Sequence, residues 1–368
     1  MTSNNSPVAT KKAKKPAPAQ NKPATATLPN VPNVPNAPKA PNTNKAVPFT
    51  ALNLSEGVQK AITGMGFETP SPIQADAIPA LLDGGDVIGQ AQTGTGKTAA
   101  FAIPVIERVD AANRRIQAIV LCPTRELAIQ VTDEFRKLGK FTPGLVSMAV
   151  YGGQPITKQI HFLRRQPQII VGTPGRVLDL IRRGTLKLGH VKMAVLDEAD
   201  EMLNMGFRPD IETILSHTPA QNRQTILFSA TMPRAILELT AKFQRNAKHI
   251  KVKQHDQPVA QVDQRYLKVQ RRDKSDTLFR LLNEHKFQRS LVFCNTKRQV
   301  DYMVTLMRGK GYAVDGLHGG KTQSQRDRIM QGYRRGKTQI LIATDVAARG
   351  LDVNDIEAVF NYDLPKEA

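Results

Sequence analysis

Three strand-and-loop segments occur twice along this chain in the same order, and that repetition limits the available folds more than any other feature. Leu291–Lys297 (LVFCNTK) echoes Ile119–Arg125 (IVLCPTR). Leu317-His318-Gly319-Gly320 echoes Tyr151-Gly152-Gly153, and Ile340–Thr344 echoes Ile169–Thr173. The spacing is similar though unequal, which argues for two copies of one unit. From Phe49 onward, short β-branched runs alternate with longer helical patterns. Val87-Ile88, Ala118–Leu121, Val146–Val150, Gln168–Val171, Met193–Leu196 and Thr225–Phe228 read as strands, with helices such as Glu126–Leu138 and Arg176–Arg183 between them. That alternation predicts an α/β fold, a parallel sheet with helices on both faces.

The 368 residues suffice for two domains of ordinary size. Residues 1–48 stand apart: seven lysines, no acidic residue, and repeated Val-Pro-Asn and Ala-Pro units. So little apolar surface cannot offset chain entropy, and a disordered tail is expected, a solvated extension rather than a dedicated binding arm. The polar stretch Lys251–Val262 reads as a hinge, which divides the remainder into 49–255 and 256–368.

The formal charge is +20 and the tail supplies only seven of those charges, so the rest is basic too. Such a balance points to a polyanionic partner, nucleic acid or an acidic membrane surface. No apolar run approaches the ~20 residues that span a bilayer, and no secretory signal is evident. Cys122 and Cys294 each follow an apolar run, as reduced core cysteines do. A cytoplasmic protein is expected.

Ala91-Gln92-Thr93-Gly94-Thr95-Gly96-Lys97-Thr98 follows the strand Asp86–Gly89 and precedes the helical Ala99–Phe101. Its glycines let backbone N–H groups curl around phosphate oxygens at a helix N-terminus. Lys97 would reach the β- and γ-phosphates of ATP, and Thr98 would hold magnesium. The general P-loop pattern begins with Gly, and this chain has Ala91 there. A magnesium site also needs an acidic partner at the end of a neighbouring strand. Met193–Leu196 supplies the strand, and Asp197-Glu198-Ala199-Asp200 follows at its C-terminal edge, where open α/β sheets bind ligands. Asp197 would hold the metal through water, and Glu198 would orient or deprotonate the attacking water.

Asp197–Asp200 spells DEAD, and from Phe49 to its end the chain resembles the DEAD-box RNA helicases of superfamily 2. The resemblance implies two tandem RecA-like P-loop domains and ATP-driven unwinding of RNA by a monomer, within ribosomal or RNA-decay complexes. Gly66–Gln74 looks like the family's Q motif. By resemblance Gln74 reads the adenine edge and Phe49 stacks on its ring; an amide can pair with adenine's donor and acceptor together. Ser229-Ala230-Thr231 resembles the motif that links hydrolysis to lobe movement, and Asp352 would touch the ribose from the second lobe.

The RNA-facing segments implied by the resemblance are Pro123-Thr124-Arg125, Gly152-Gly153 and Thr173-Pro174-Gly175-Arg176. In the second lobe they are Thr296, His318-Gly319, Gln323, Arg326 and Thr344. Taken singly, each of these reads more readily as a cap or turn than as a ligand. Together, short hydroxyls, glycine N–H groups and arginines suit phosphate and ribose oxygens. With no Trp, aromatics at 5% and no RNP-type aromatic pair, base-specific stacking is not expected. Binding should be sequence-independent, backbone-directed and salt-dependent.

Family members continue after Asn361–Pro365 with a His-Arg-Ile-Gly-Arg-type motif whose arginines reach the γ-phosphate, whereas this sequence ends at Ala368. An arginine finger is worth roughly 10³–10⁵ in rate. The second sheet is therefore expected to be incomplete and hydrolysis by residues 1–368 feeble, with an ATP- and RNA-binding module of little turnover as the alternative.

Overall fold

A computed structural model describes residues 48–92, 94–252, 262–348, 353 and 355–364. The tail (1–47), most of the hinge (253–261), Thr93 and Asp352 lie outside the described residues. The first sheet has seven strands: β1 (Val87–Gln90), β2 (Ala118–Leu121), β3 (Ser147–Val150), β4 (Ile169–Gly172), β5 (Met193–Leu196), β6 (Gln224–Ser229) and β7 (Lys248–Lys251), in the order β3-β4-β2-β5-β6-β1-β7. The second has β8 (Ser290–Phe293), β9 (Val314–Leu317), β10 (Ile340–Ala343) and β11 (Ala358–Asn361), in the order β11-β8-β10-β9. Every strand pair among the described residues is parallel.

The sequence repeat is realised as topology. Strands β3-β4-β2-β5 of the first sheet correspond, position by position, to β9-β10-β8-β11 of the second. Both sheets are thus built on one four-strand unit, as two RecA-like domains are. The first adds β6, β1 and β7 beyond β5.

Continuous apolar runs form the central strands because helices cover both faces. Val120, Val171, Val195 and Phe228 point into one core, and Ile119, Ile170, Ala194 and Leu227 into the other. The sequence reading missed β7, whose Lys-His-Ile-Lys pattern buries only Ile250. Pairing with β1 makes it an edge strand, for which one buried side chain suffices.

Both copies of the repeat end β2 or β8 with a threonine cap. Thr124 accepts from the Leu127 N–H at 3.2 Å and begins the helix Arg125–Leu138. Thr296 accepts from the Gln299 N–H at 3.1 Å and begins the helix Lys297–Gly309. Each cap satisfies one of the helix's orphan N–H groups and leaves its own O–H free to donate. No helix among the described residues is long and apolar enough to cross a membrane.

Candidate functional site

The loop after β1 turns through Gly94 and Gly96, at φ +79° and +87°, and opens the helix Lys97–Arg108. A side chain at Gly96 would be strained at that φ, and its Cβ would lie 2.4 Å from Gln74 Nε2, forcing the amide to shift. Lys97 is buried, and its Nζ has no hydrogen-bond partner among the described residues. Asp197, at the end of β5, is buried too, and its Oδ1 is equally unpartnered among the described residues. Burial pushes the Asp197 carboxyl up, while the nearby Lys97 ammonium and the Glu198 N–H pull it down. A buried ammonium and carboxylate oxygen left unpaired in one place are costly unless a ligand completes them.

The two come from strands that are not adjacent, contrary to the sequence expectation: β6 lies between β5 and β1. The chain leaves β1 by a crossover and returns beside it only at β6. That intervening strand ends at Ser229, whose carbonyl accepts from the Ala91 N–H at 3.2 Å. The Ser229-Ala230-Thr231 loop therefore sits between the phosphate loop and the acidic cluster. Ser229 Oγ donates to the Thr231 carbonyl at 2.7 Å. Thr231 donates from N–H and Oγ1 to Asp200 Oδ2, at 2.9 and 2.8 Å. The sequence reading gave Asp200 no role beyond its place in the motif, and only the fold brings it to Thr231.

Glu198 adopts the left-handed conformation at φ +52°, unusual for a residue with a side chain. Burial, then the Asp197 charge, push its carboxyl up to about 7, with Lys97 opposing. A carboxyl poised there can exchange a proton near neutral pH. Thr98 is half-buried at the start of the phosphate-loop helix. Among the described residues there is no cluster of three metal-ligating side chains. Magnesium needs only one or two carboxylates when phosphates and water complete its shell, so Asp197 with Thr98 is a fitting donor set.

Ser71, Gln74 and the phosphate loop form one network. The Ser71 N–H donates to Gln74 Oε1 at 2.9 Å, Gln74 Nε2 donates to the Gly96 carbonyl at 3.0 Å, and Ser71 Oγ donates to the Thr95 carbonyl at 2.8 Å. Both ends of the Gln74 amide are thus engaged, so an adenine would meet its remaining lone pair and N–H. Phe49 is only 4% exposed, its ring facing Phe67 with centroids 6.5 Å apart. It packs into the first core instead of standing open, because an uncovered ring would cost apolar burial. Ala91 is buried, Gln92 is exposed, and the Gln92 carbonyl accepts from Thr95 Oγ1 at 2.8 Å.

A cavity of about 420 Å³ gathers Pro123, Thr124, Arg125, Thr173, Gly175, Arg176, Gly319 and Arg326 from both lobes. Met205 and Phe207 line it too; no sequence signal separates them from core residues. Gly153 lies beside it, where its Cβ would be 2.2 Å from Arg125 Nη1. Arg176 donates from both terminal nitrogens to the Gln154 carbonyl, at 3.2 Å each. Pro174, Thr296, Gln323 and Thr344 are not among the lining residues. Pro174 starts a helix behind Thr173, and the Thr344 N–H donates to the Leu317 carbonyl at 3.2 Å. Gln323 and Arg326 are buried and turned toward protein groups. Gln323 Oε1 accepts from Arg125 Nη1 at 3.4 Å, and Arg326 Nε donates to Glu126 Oε1 at 2.7 Å, across the two lobes.

Residues 71–239 match the family model described as DEAD/DEAH box helicase, and residues 273–368 the one described as helicase conserved C-terminal domain. The chain is 50% identical over 319 residues to the DEAD-box ATP-dependent RNA helicase CshA of Geobacillus kaustophilus, covering 87% of this chain and 68% of that protein. To the Bacillus subtilis protein of that name it is 50% identical over 321 residues, covering 87% and 65%. It thus spans about two thirds of the length of these relatives. Among solved structures, Saccharomyces cerevisiae Dbp5 bound to RNA and ADP BeF3 is similar at a TM-score of 0.77 and 35% identity, covering 86% of this chain and 81% of that one. A DEAD box protein from Methanococcus jannaschii is 46% identical at a TM-score of 0.54, covering 87% and 86%.

Proposed function

Because the chain belongs to the DEAD/DEAH-box helicase family, we propose that it binds ATP and RNA together and couples ATP hydrolysis to local unwinding of an RNA duplex. The observation that carries this reading is the buried pair of unpartnered polar atoms, Lys97 Nζ and Asp197 Oδ1, at the mouth of a phosphate-binding loop. A triphosphate with its metal is the ligand that satisfies both at once. Lys97 holds the β- and γ-phosphates, and the loop from Ala91 to Thr98 wraps their oxygens with N–H groups. Thr98, and Asp197 through water, would hold magnesium, which would supply charge neutralisation at the phosphates. Glu198 orients the attacking water and takes its proton, for which a carboxyl near 7 is well matched.

RNA lies along the cavity shared by the lobes, its phosphates and riboses meeting the Thr124 and Thr173 hydroxyls, Arg125, Arg176 and the Gly319 backbone. The Arg326–Glu126 contact supports a closed arrangement in which each ligand touches both lobes. Thr231 and Asp200 tie the phosphate side of the cleft to the acidic motif, so product release relaxes both. The relatives' names lend no support to the low-turnover alternative. Work as a monomer in the cytoplasm, within ribosomal or RNA-decay complexes, belongs to the same reading.

Titrating single-stranded RNA with and without a non-hydrolysable ATP analogue and magnesium tests it. The analogue should raise RNA affinity at least about tenfold. Equal coupling to DNA of matched length would point instead to a DNA translocase, and no coupling at all would overturn the proposal.

A further inference from the structure

His318 sits beneath the Gly319–Gly320 turn of the second lobe and is only 5% exposed. Its Nδ1 accepts from the Gly320 N–H at 3.1 Å, while its Nε2 lies 3.0 Å from Asp301 Oδ1. A backbone N–H can only donate, so Nδ1 carries no proton and Nε2–H donates to Asp301. Lys321 Nζ donates to the same Asp301 oxygen at 2.9 Å, and the Lys321 N–H closes the turn onto the His318 carbonyl at 3.0 Å. A Cβ on Gly320 would meet the imidazole at 3.0 Å, so ring and turn are in contact. Gly319 in turn lines the cavity assigned above to RNA.

We propose that His318 is a positioning residue: its imidazole, anchored by Asp301, holds the Gly319–Gly320 turn in the shape that meets the RNA backbone. This rests on the reading of the shared cavity as the RNA site. Without the imidazole the Gly320 N–H would lose its acceptor and the turn would lose the ring it rests on. The groups that fix the ring come from three elements: Asp301 on the helix Lys297–Gly309, Lys321 in the turn, and Arg326 on the helix Gln323–Arg334, whose Nη1 donates to the His318 carbonyl at 3.4 Å. Partial burial works to raise the Asp301 carboxyl, but the hydrogen bonds from Lys321 and His318 outweigh it, so the anchor is a carboxylate.

The test measures binding of a labelled single-stranded RNA by anisotropy, with adenylyl imidodiphosphate and magnesium present, for wild type, His318→Asn and His318→Ala at one pH. His318→Asn offers an oxygen to the Gly320 N–H and should stay within about threefold of wild type. His318→Ala offers no acceptor and should bind RNA roughly tenfold more weakly, the value of about one hydrogen bond. Fluorescent ADP binding, unchanged in all three, certifies the fold. A His318→Asn protein as weak as His318→Ala, or a His318→Ala protein that binds RNA normally, would overturn the proposal. Wild type that binds nucleotide but no RNA would instead overturn the assignment of the cavity, and this inference with it.

Discussion

Arg326 of the second lobe donates to Glu126 of the first through Nε at 2.7 Å and approaches the same oxygen with Nη2 at 2.5 Å. The side chains are only 7% and 15% exposed, so this is a desolvated pair joining two lobes. Removing one partner of such a pair leaves an unpaired buried charge, at a cost of about 3–5 kcal/mol when nothing relaxes. In the proposed cycle the lobes part, so the cost should fall on their association and leave each lobe's stability nearly unchanged. Glu126→Ala should therefore weaken the RNA affinity gained from a bound ATP analogue by at least about tenfold. A double-mutant cycle with Arg326→Met, read as coupling between the two ligands, checks this. Independent effects of the two substitutions would count against it.

The Asp200–Thr231 bonds predict a different signature. Thr231→Val keeps the volume and the N–H bond but loses the hydroxyl bond, worth about 1 kcal/mol of stability. RNA unwound per ATP consumed should fall more than the hydrolysis rate does. Parallel strand-displacement and phosphate-release assays decide, and equal losses in both would refute a linking role.

Gly153→Ala should be strained twice over, at φ +90° and with a Cβ 2.2 Å from Arg125 Nη1. The guanidinium is the movable end of a long side chain, so it should swing away from the shared cavity. We expect about 1 kcal/mol of lost stability and several-fold weaker RNA binding. Melting temperature and anisotropy together check it, and an unchanged RNA affinity would show that the Arg125 placement is immaterial.

The arrangement of the fold was largely legible because the repeat and the apolar runs report burial, and burial decides where central strands go. β2, β5 and β10 are apolar throughout and read directly. β7 was not legible, since an edge strand burying only Ile250 carries almost no pattern. Sequence also could not place β6 between β1 and β5, because strand order depends on crossovers that leave no local trace. In the site, Lys97 and Asp197 stood out by motif. The engagement of Gln74 with Gly96, the burial of Phe49 against Phe67 and the turning of Arg326 toward Glu126 are long-range contacts, which spacing along one chain does not encode.

Glu198 makes a pH prediction independent of turnover. Its folded-state carboxyl is raised to about 7, above its ordinary 4.5. The folded state therefore favours the protonated form, and stability is fully present below about pH 4.5 and lost as pH rises through about 7. Glu198→Gln removes that loss. It should be more stable than wild type at about pH 8, on the order of 2 kcal/mol, and similar at about pH 4. Denaturant melts at both pH values check this, and a stability difference independent of pH would contradict it.

The convergence of Lys97 Nζ and Asp197 Oδ1 on one metal-bound triphosphate is the claim on which the rest depends. The direct measurement is fluorescent ATP binding to wild type, Lys97→Ala and Asp197→Asn, each with magnesium and with EDTA. Lys97→Ala should lose at least about a hundredfold in affinity. Asp197→Asn should bind as wild type does in EDTA but gain little from magnesium. Near-normal binding by Lys97→Ala, or a full magnesium response in Asp197→Asn, would contradict the account.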